Sequence, residues 1–306
     1  MAIRKLLKAI PGASRLASFV RTYRRRSAQN AILRRLKKAG TVPFRNDPNS
    51  PIVVSLTSFP ARIHLVWRAI ESIFQQDTKP ARVVLVLSVA EFPDKRVPSS
   101  IAAQCSRGLE ILWTPENTRA YKKLLPTKEA FPEATIVTVD DDVIYEPWML
   151  TRLIEASRLA PNTVIGHRGR VITGAPQRLE PYETWPMADP STPRGRVLLT
   201  GVGGVLYPPS AIATVSLQDF ATAKALCPLN DDLWFWACTL LAKTMPICLD
   251  NRSCVNFDDA DATESLYSLN GPGGMNDVQF KAVCDHFGLW GALDAGAGTE
   301  RVREST

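Results

Sequence analysis

Short apolar, β-branched runs recur along this chain, separated by stretches in which apolar residues return at helical spacing. Residues 52–57 (Ile-Val-Val-Ser-Leu-Thr) are the first run, and their near-continuous apolar character is that of a strand covered on both faces. Over 64–76, Leu65, Ala69, Ile70, Ile73 and Phe74 repeat every three or four positions and predict a helix. Arg82–Ser88 and Leu109–Trp113 predict two further strands, and 120–131 a helix leading into a β-branched strand over Thr135–Val139. Pro147 suits the first position of a helix, where a missing N–H costs nothing, and that pattern runs to about Leu159 before Pro161. Short strands are predicted at Thr163–Gly166 and Val205–Tyr207, an N-cap at Asn230, and a helix over 276–287 ended by Gly288. This alternation predicts an α/β fold: a mostly parallel sheet flanked by helices, with ligands bound at the carboxyl ends of the strands.

Composition refines this picture. With 306 residues, 45% of them hydrophobic, the chain can bury the core of one large α/β domain or two closely joined ones. The net charge of +7 is unevenly spread. Of the 37 Lys and Arg, thirteen fall in residues 1–46, which hold no Asp or Glu; 24 then face 30 acidic residues in the rest, a net of −6. Six cysteines form no C-x-x-C pair and have only three histidines for company, which disfavours a zinc ribbon or a disulfide framework and leaves reduced thiols as the expectation. No apolar run follows the basic N-terminal residues, so a secretory signal is not expected. The uncharged stretch Val197–Gln218 contains three glycines and the pair Pro208–Pro209, and predicts a buried strand and turn rather than a membrane span. Residues 294–306 are polar and without periodicity, and a disordered tail is expected there.

Candidate chemistry begins where the Thr135–Val139 strand ends, at Asp140, Asp141 and Asp142. Like charges at a strand exit repel, and carboxylates at alternate positions are hard oxygen ligands for a divalent cation bridging phosphate oxygens; solvated aspartates ending a strand are the plainer reading. No G-x-G-x-x-G follows the first strand, where Ser58, Phe59, Pro60, Ala61 and Arg62 stand, which disfavours dehydrogenases and P-loop enzymes. Gly201, Gly203 and Gly204 permit close approach of backbone to a ligand, or equally a bulge. Asp231 and Asp232 follow Asn230 and precede Trp234, Phe235 and Trp236, a pattern fitting an acceptor site with a base and rings for sugar faces, or a capped core helix. His167, Arg168 and Arg170 could reach phosphate or form a solvated basic turn, while His286 belongs to a structural helix pattern.

Five segments, in order, carry a resemblance: Val53–Ile63 (VVSLTSFPARI), Tyr121–Leu125 (YKKLL), Val137–Tyr145 (VTVDDDVIY), Thr200–Pro209 (TGVGGVLYPP) and Asn230–Trp236 (NDDLWFW). Together they resemble nucleotide-sugar glycosyltransferases of the GT-A fold, and more narrowly the bacterial family 2-like proteins of cell-surface polysaccharide biosynthesis. Unlike polysaccharide synthases, the chain shows no long C-terminal membrane region, so processive polymerisation is not implied. The resemblance implies a GT-A domain over 47–293, with a Rossmann-like nucleotide-binding half and an acceptor-binding half, preceded by a basic helical extension over 1–46. It implies that Asp140 and Asp142 hold Mn²⁺ or Mg²⁺ against the donor diphosphate, and that Asp141 orients the ribose or donor sugar. Ser55, Thr57, Pro60 and Arg62 would contact the nucleotide, Lys122 and Lys123 would neutralise phosphate, and Gly203 and Gly204 would lie close to the donor. Asp232, ahead of Asp231, would be the base.

The implied activity is metal-dependent transfer of a sugar from a nucleotide sugar, a UDP-sugar first among donors, to a hydroxyl on a surface glycan or lipid-linked acceptor. A nucleotidyl- or phosphotransferase using the same acidic cluster, and a noncatalytic carbohydrate-binding protein, are the alternatives. In residues 1–46, Leu6, Leu7, Ile10, Leu16, Phe19, Val20, Tyr23, Ile32, Leu33 and Leu36 lie among the thirteen cations, a pattern of helices lying on anionic membranes. That places the enzyme in the cytoplasm, peripheral on the cytoplasmic membrane face; a nucleic-acid-binding arm, disfavoured by the predicted chemistry, and a merely solvated disordered extension are the alternatives.

Overall fold

The structure, a computed structural model, describes residues 27, 29–38, 40, 44–175, 178–250, 252–256 and 274–293. Most of the basic extension and the whole of the 294–306 tail lie outside the described residues. The chain divides into two compact units, Met1–Pro43 and Phe44–Thr306. In the first, residues 29–38 are helical and Leu36 is buried, while Arg34, Arg35 and Lys37 are exposed.

Among the described residues of the second unit there are thirteen strands, in chain order: β1 (Ile52–Thr57), β2 (Arg82–Ser88), β3 (Leu109–Thr114), β4 (Thr135–Thr138), β5 (Val143–Tyr145), β6 (Ile165–Gly166), β7 (Gly169–Val171), β8 (Gly174–Ala175), β9 (Arg178–Leu179), β10 (Val197–Leu199), β11 (Val205–Tyr207), β12 (Ile247–Cys248) and β13 (Cys254–Asn256). Seven of them form one sheet in the order β12-β6-β11-β4-β1-β2-β3. Pairings of β1 with β2 and β4, of β2 with β3 and of β12 with β6 are parallel, and β11 runs antiparallel to both β4 and β6. One reversed strand in an otherwise parallel sheet is the α/β architecture the sequence pattern predicts.

Helices α1 (Trp67–Phe74), α2 (Ser99–Cys105), α3 (Leu125–Ala130), α4 (Met149–Leu159), α5 (Thr214–Gln218), α6 (Phe220–Leu226), α7 (Asp231–Leu241) and α8 (Met275–Phe287) flank the sheet. Alternation along β1 shows how the layers form. Ile52, Val54 and Leu56 pack with Ile70 and Ile73 of α1, whereas Val53 joins Val84 and Val86 on the other face. Ser55 shares that second face, and its hydroxyl lies 2.7 Å from that of Thr127 on α3, so a polar residue inside a buried strand has its partner. A separate cluster gathers Tyr207, Trp234, Phe235, Trp236 and Phe280 around α7 and α8.

Several predicted boundaries move for identifiable reasons. The helix expected over 120–131 is split into a 3₁₀ turn, Arg119–Lys123, and α3, because Pro126 has no N–H with which to continue a single helix. Residues 60–65 form turns before α1. α4 starts at Met149, and Pro147 stands outside it with its carbonyl accepting the Asp77 N–H at 2.8 Å. Asn230 does cap α7, accepting the Leu233 N–H at 3.2 Å, and Gly288 ends α8 in the left-handed region at φ +67°. The uncharged stretch after Val197 folds as β10, a 3₁₀ turn, β11 and α5. Among the described residues no helix is long and apolar enough to cross a membrane. All six cysteines carry free thiols.

Candidate active site

The chain switches direction across the sheet between β1 and β4, where adjacent parallel strands lead to opposite sides and leave a crevice at their carboxyl ends. Into it run the Ser58–Arg62 loop after β1 and the aspartate triplet after β4. Because β11 is reversed, its start also lies at this end and brings Gly201–Gly204 beside the triplet. The first turn of α7 completes the ring with Asp231 and Asp232.

Two cations organise the carboxylates. Arg62 Nη1 donates to Asp141 Oδ1 at 2.9 Å and to Asp142 Oδ2 at 3.0 Å, while the Ser58 hydroxyl donates to Asp141 Oδ2 at 2.6 Å. Lys123 Nζ lies 2.8 Å from Asp140 Oδ1 and 2.9 Å from Asp231 Oδ2, in a side chain only 6% exposed. Burial opposes the charge on this ammonium, but Asp140, Asp231 and Asp232 outweigh burial and hold its pKa well above the usual range. Asp232 accepts the Gly201 N–H on both oxygens, at 3.0 and 3.1 Å. A side chain at Gly201 would start 2.6 Å from Lys123 Nζ and 3.2 Å from carboxylate oxygens of both Asp140 and Asp232, so glycine is required where the two halves of the cluster meet.

Five aspartates thus surround two cations, and the surplus of negative charge is felt. Burial first, then Asp140 and Asp141, push Asp142 up to about 6. Burial first, then Asp231 and Asp140, push Asp232 up to about 7. Among the described residues no three His, Cys, Asp or Glu are grouped to hold a metal ion by themselves. What the loop offers is an alternate pair, Asp140 and Asp142, with side chains 28% and 44% exposed and uncompensated charge around them. That donor set fits a divalent ion whose remaining ligands come from phosphate oxygens and water.

Other residues singled out in the sequence fall in varied places. Thr57 donates its hydroxyl to the Val86 carbonyl at 2.8 Å, Pro60 is exposed on the loop, and Ser55 is fully buried away from the crevice. Lys122 points to Glu91 and to Asn117 Oδ1, apart from the aspartates that hold Lys123. Gly203 packs directly on the Arg168 backbone, and Gly204 adopts φ +84° beside Met149. Trp234, Phe235 and Trp236 do not offer rings to a sugar: they are at most 4% exposed and form core, Trp236 against Phe280 and Trp234 against Phe287. Trp236 and Phe235 do line a small cavity beside Asp232, together with Val164, Leu199, Tyr207, Thr239 and Pro246.

Tyr145 escaped the sequence reading of the site. Its hydroxyl accepts the Asp140 N–H at 2.8 Å and donates to the Val202 carbonyl at 3.2 Å, tying the triplet to the glycine turn. The segment VTVDDDVIY contained it, but nothing in the sequence said that its hydroxyl turns back. His167 is fully buried, with Nε2 3.1 Å from the Met149 carbonyl and Nδ1 3.5 Å from Asp250 Oδ1.

No family model matches this chain, and no curated protein matches it. Among solved structures it is similar to CMP:2-keto-3-deoxy-manno-octonic acid synthetase complexed with CTP, with 12% identity, a TM-score of 0.43, and 76% of this chain and 99% of that chain covered. It is also similar to the mannosyltransferase PcManGT from Pyrobaculum calidifontis in complex with GDP-Man and Mn²⁺, with 13% identity, a TM-score of 0.41, and 87% and 82% of the two chains covered. A third is 4-diphosphocytidyl-2C-methyl-D-erythritol synthase, with 13% identity, a TM-score of 0.40, and 70% and 96% covered.

The buried histidine makes a pH dependence testable. Burial lowers His167 from its ordinary 6.5, so near and below that pH the unfolded chain binds a proton that the folded chain does not. This contribution is complete above the unfolded value and is lost as pH falls beneath it, by at most about 1.4 kcal/mol per pH unit. Asp142 and Asp232, pushed up to about 6 and 7, take up protons in the folded chain over the same range and oppose this trend, so the test is a difference between two chains. In urea unfolding between pH 7.5 and 5, wild type should lose stability relative to His167→Gln as pH falls; parallel slopes for the two would remove His167 as a source of pH dependence.

Proposed function

We propose that this chain is a metal-dependent glycosyltransferase that moves a sugar from a nucleotide-sugar donor to a hydroxyl acceptor on a surface glycan or lipid-linked precursor. The observation that carries this reading is the junction at Gly201, where Lys123 spans Asp140 of the triplet and Asp231 of α7, and Asp232 is pinned by the Gly201 N–H. Carboxylates of a metal-and-phosphate type and carboxylates of a base type then share one crevice at the switch point, as a transfer between two substrates requires.

In this reading Asp140 and Asp142 hold Mn²⁺ or Mg²⁺, which when bound stabilises the negative charge of the departing nucleoside diphosphate. Arg62, fixed by Asp141 and Asp142, faces the same phosphates from the β1 loop, and Asp141 itself keeps Ser58 and Arg62 in place. Thr57 and Pro60 shape the loop that takes the nucleotide. Ser55 and Lys122 contribute through packing and ion pairing behind it. Lys123 positions the two acidic halves rather than meeting phosphate first. Gly203 and Gly204 let the backbone pass close to the donor. Asp232 takes the proton of the acceptor hydroxyl, and Asp231, held by Lys123, stands behind it. A UDP-sugar is the first donor to try.

The test is a thermal-shift series of nucleotide sugars with and without Mn²⁺, since a ligand of the native state raises its apparent stability. Asp142→Ala, and more weakly Asp140→Ala, should lose the Mn²⁺-dependent shift while keeping the fold. Asp232→Asn should keep donor binding and lose transfer by about 10²–10⁴-fold, the range for removal of a general base. Unchanged metal-dependent donor binding in Asp142→Ala would take the triplet out of the mechanism. Turnover of nucleoside triphosphates, and not of nucleotide sugars, would replace this reading with a nucleotidyltransferase.

Residues 1–46 supply the location in this proposal: a peripheral hold on the cytoplasmic membrane face, beside a lipid-linked acceptor. Each basic residue near an anionic surface contributes about 1 kcal/mol, so a few of the thirteen suffice. Full-length protein should co-sediment with anionic liposomes at low salt and release at high salt, whereas a chain beginning at Asp47 should stay in the supernatant. Both forms remaining in the supernatant at low salt would end the membrane assignment.

A further inference from the structure

Arg168 follows β6 at the same end of the sheet and, among the described residues, has no counterion. Arg62 and Lys123 each hold two carboxylates. Among the described residues, by contrast, no carboxylate comes within ion-pair distance of Arg168 or Arg170. Arg168 is fixed all the same: Nη1 donates to Thr200 Oγ1 at 3.0 Å, its carbonyl accepts the Thr200 N–H at 2.9 Å, and the Gly203 backbone packs against it so closely that a Cβ there would lie 2.5 Å from the Arg168 Cβ. The next residue after Thr200 is Gly201, whose N–H holds Asp232. One dipeptide therefore carries the guanidinium of Arg168 on its first residue and the carboxylate of Asp232 on its second.

Arg170 stands nearby, donating to the Trp185 carbonyl at 2.8 Å with its guanidinium 5.5 Å from the centre of the Tyr182 ring. Burial first, and then Asp232, raise the Tyr182 hydroxyl above its ordinary range, and Arg170 and Arg168 oppose that rise. A half-buried arginine held by a neutral hydroxyl, on the uncompensated edge of an otherwise over-acidic crevice, retains its fork of donors for an outside anion.

We propose that Arg168, supported by Arg170, is an anion site on the acceptor side, so that the acceptor bears a phosphate ester or a carboxylate close to the hydroxyl that Asp232 faces. This rests on the glycosyltransferase reading for the word acceptor, but the site itself does not. The arginine selects the acceptor by charge, and the aspartate one residue along the dipeptide acts on its neutral hydroxyl. A neutral glycan would leave Arg168 desolvated without a partner, which is how such a site rejects the wrong substrate.

The probe is inorganic phosphate, titrated by thermal shift into wild-type chain with UDP and Mn²⁺ at saturation so that a donor phosphate site is already filled. Wild-type protein should be stabilised, Arg168→Gln should need about tenfold more phosphate or higher for the same shift, as loss of a charge-assisted pair implies, and Arg82→Gln, whose guanidinium pairs with Glu110 at the amino end of β2, should respond as wild type. Should Arg168→Gln fail to fold, Arg168→Lys, which keeps the charge without the fork, is read for the same weakening. Acetate in place of phosphate separates the two sources: a shift with phosphate alone assigns a phosphate ester, and a shift with both assigns the wider anion class that includes carboxylates. Equal phosphate response in Arg168→Gln, or a response abolished by UDP and Mn²⁺, overturns the site. The Mn²⁺ dependence of UDP binding, measured without phosphate, tests the glycosyltransferase reading by itself; if UDP does not bind, the Arg168→Gln and Arg82→Gln comparison is still read on the nucleotide-free chain.

Discussion

The arrangement depends on a buried ammonium shared between two acidic elements. Lys123 meets Asp140 from the strand β4 exit and Asp231 from the first turn of α7, with almost no exposure to water. Burying any charge is costly unless it is paired, and here the two elements supply the pairing together, each giving the ammonium one carboxylate. Removing the lysine would set like charges of the triplet and of α7 against one another with nothing between them. Arg62 plays the matching part on the far side of the triplet, so the crevice is bounded by two cations and opens where their compensation runs out.

Topology explains why such distant residues meet. Parallel strands deliver their carboxyl ends to one edge, which accounts for the β1 loop, the triplet and the β6 exit. Glycines 201–204 reach that edge only because β11 runs the other way, entering the sheet where its neighbours leave. Tyr145 then fastens the turn to the triplet through the Asp140 N–H and the Val202 carbonyl, a neutral clasp beside the charged one. Rigidity of this kind holds the carboxylates of the triplet and the glycine turn in fixed relation.

Much of the frame was legible in the sequence, because hydrophobic periodicity reports burial directly. The β1 and β2 runs, the Asp triplet at a strand end, the Asn230 cap and the Gly288 stop are all local patterns with local causes. Where reading failed, the cause was non-local. Lys122 and Lys123 are neighbours of equal chemistry, and only the 3₁₀ turn forced ahead of Pro126 sends one to Glu91 and the other to the aspartates. Ser55 belongs to a segment whose loop reaches the crevice, yet strand alternation turns it toward Thr127. The aromatics after Asp232 looked like a sugar platform, but a helix this apolar is wanted by the core before any ligand can claim it. Arg168 carried no signal beyond being basic, since the lack of a counterion among the described residues is visible only in three dimensions.

Gly201 gives the most direct test of the claim that the triplet and the α7 carboxylates act as one unit. Gly201→Ala adds a single methyl at the point where Lys123, Asp140 and Asp232 converge, 2.6 Å from the ammonium nitrogen and in the turn between β10 and β11 rather than in a strand. Calorimetric titration of UDP with Mn²⁺, together with the rate of transfer, should show both donor affinity and turnover falling in this variant while its circular dichroism stays that of the wild type. Wild-type donor affinity and turnover in Gly201→Ala would contradict the account, because the two acidic halves would then work without the contact that joins them.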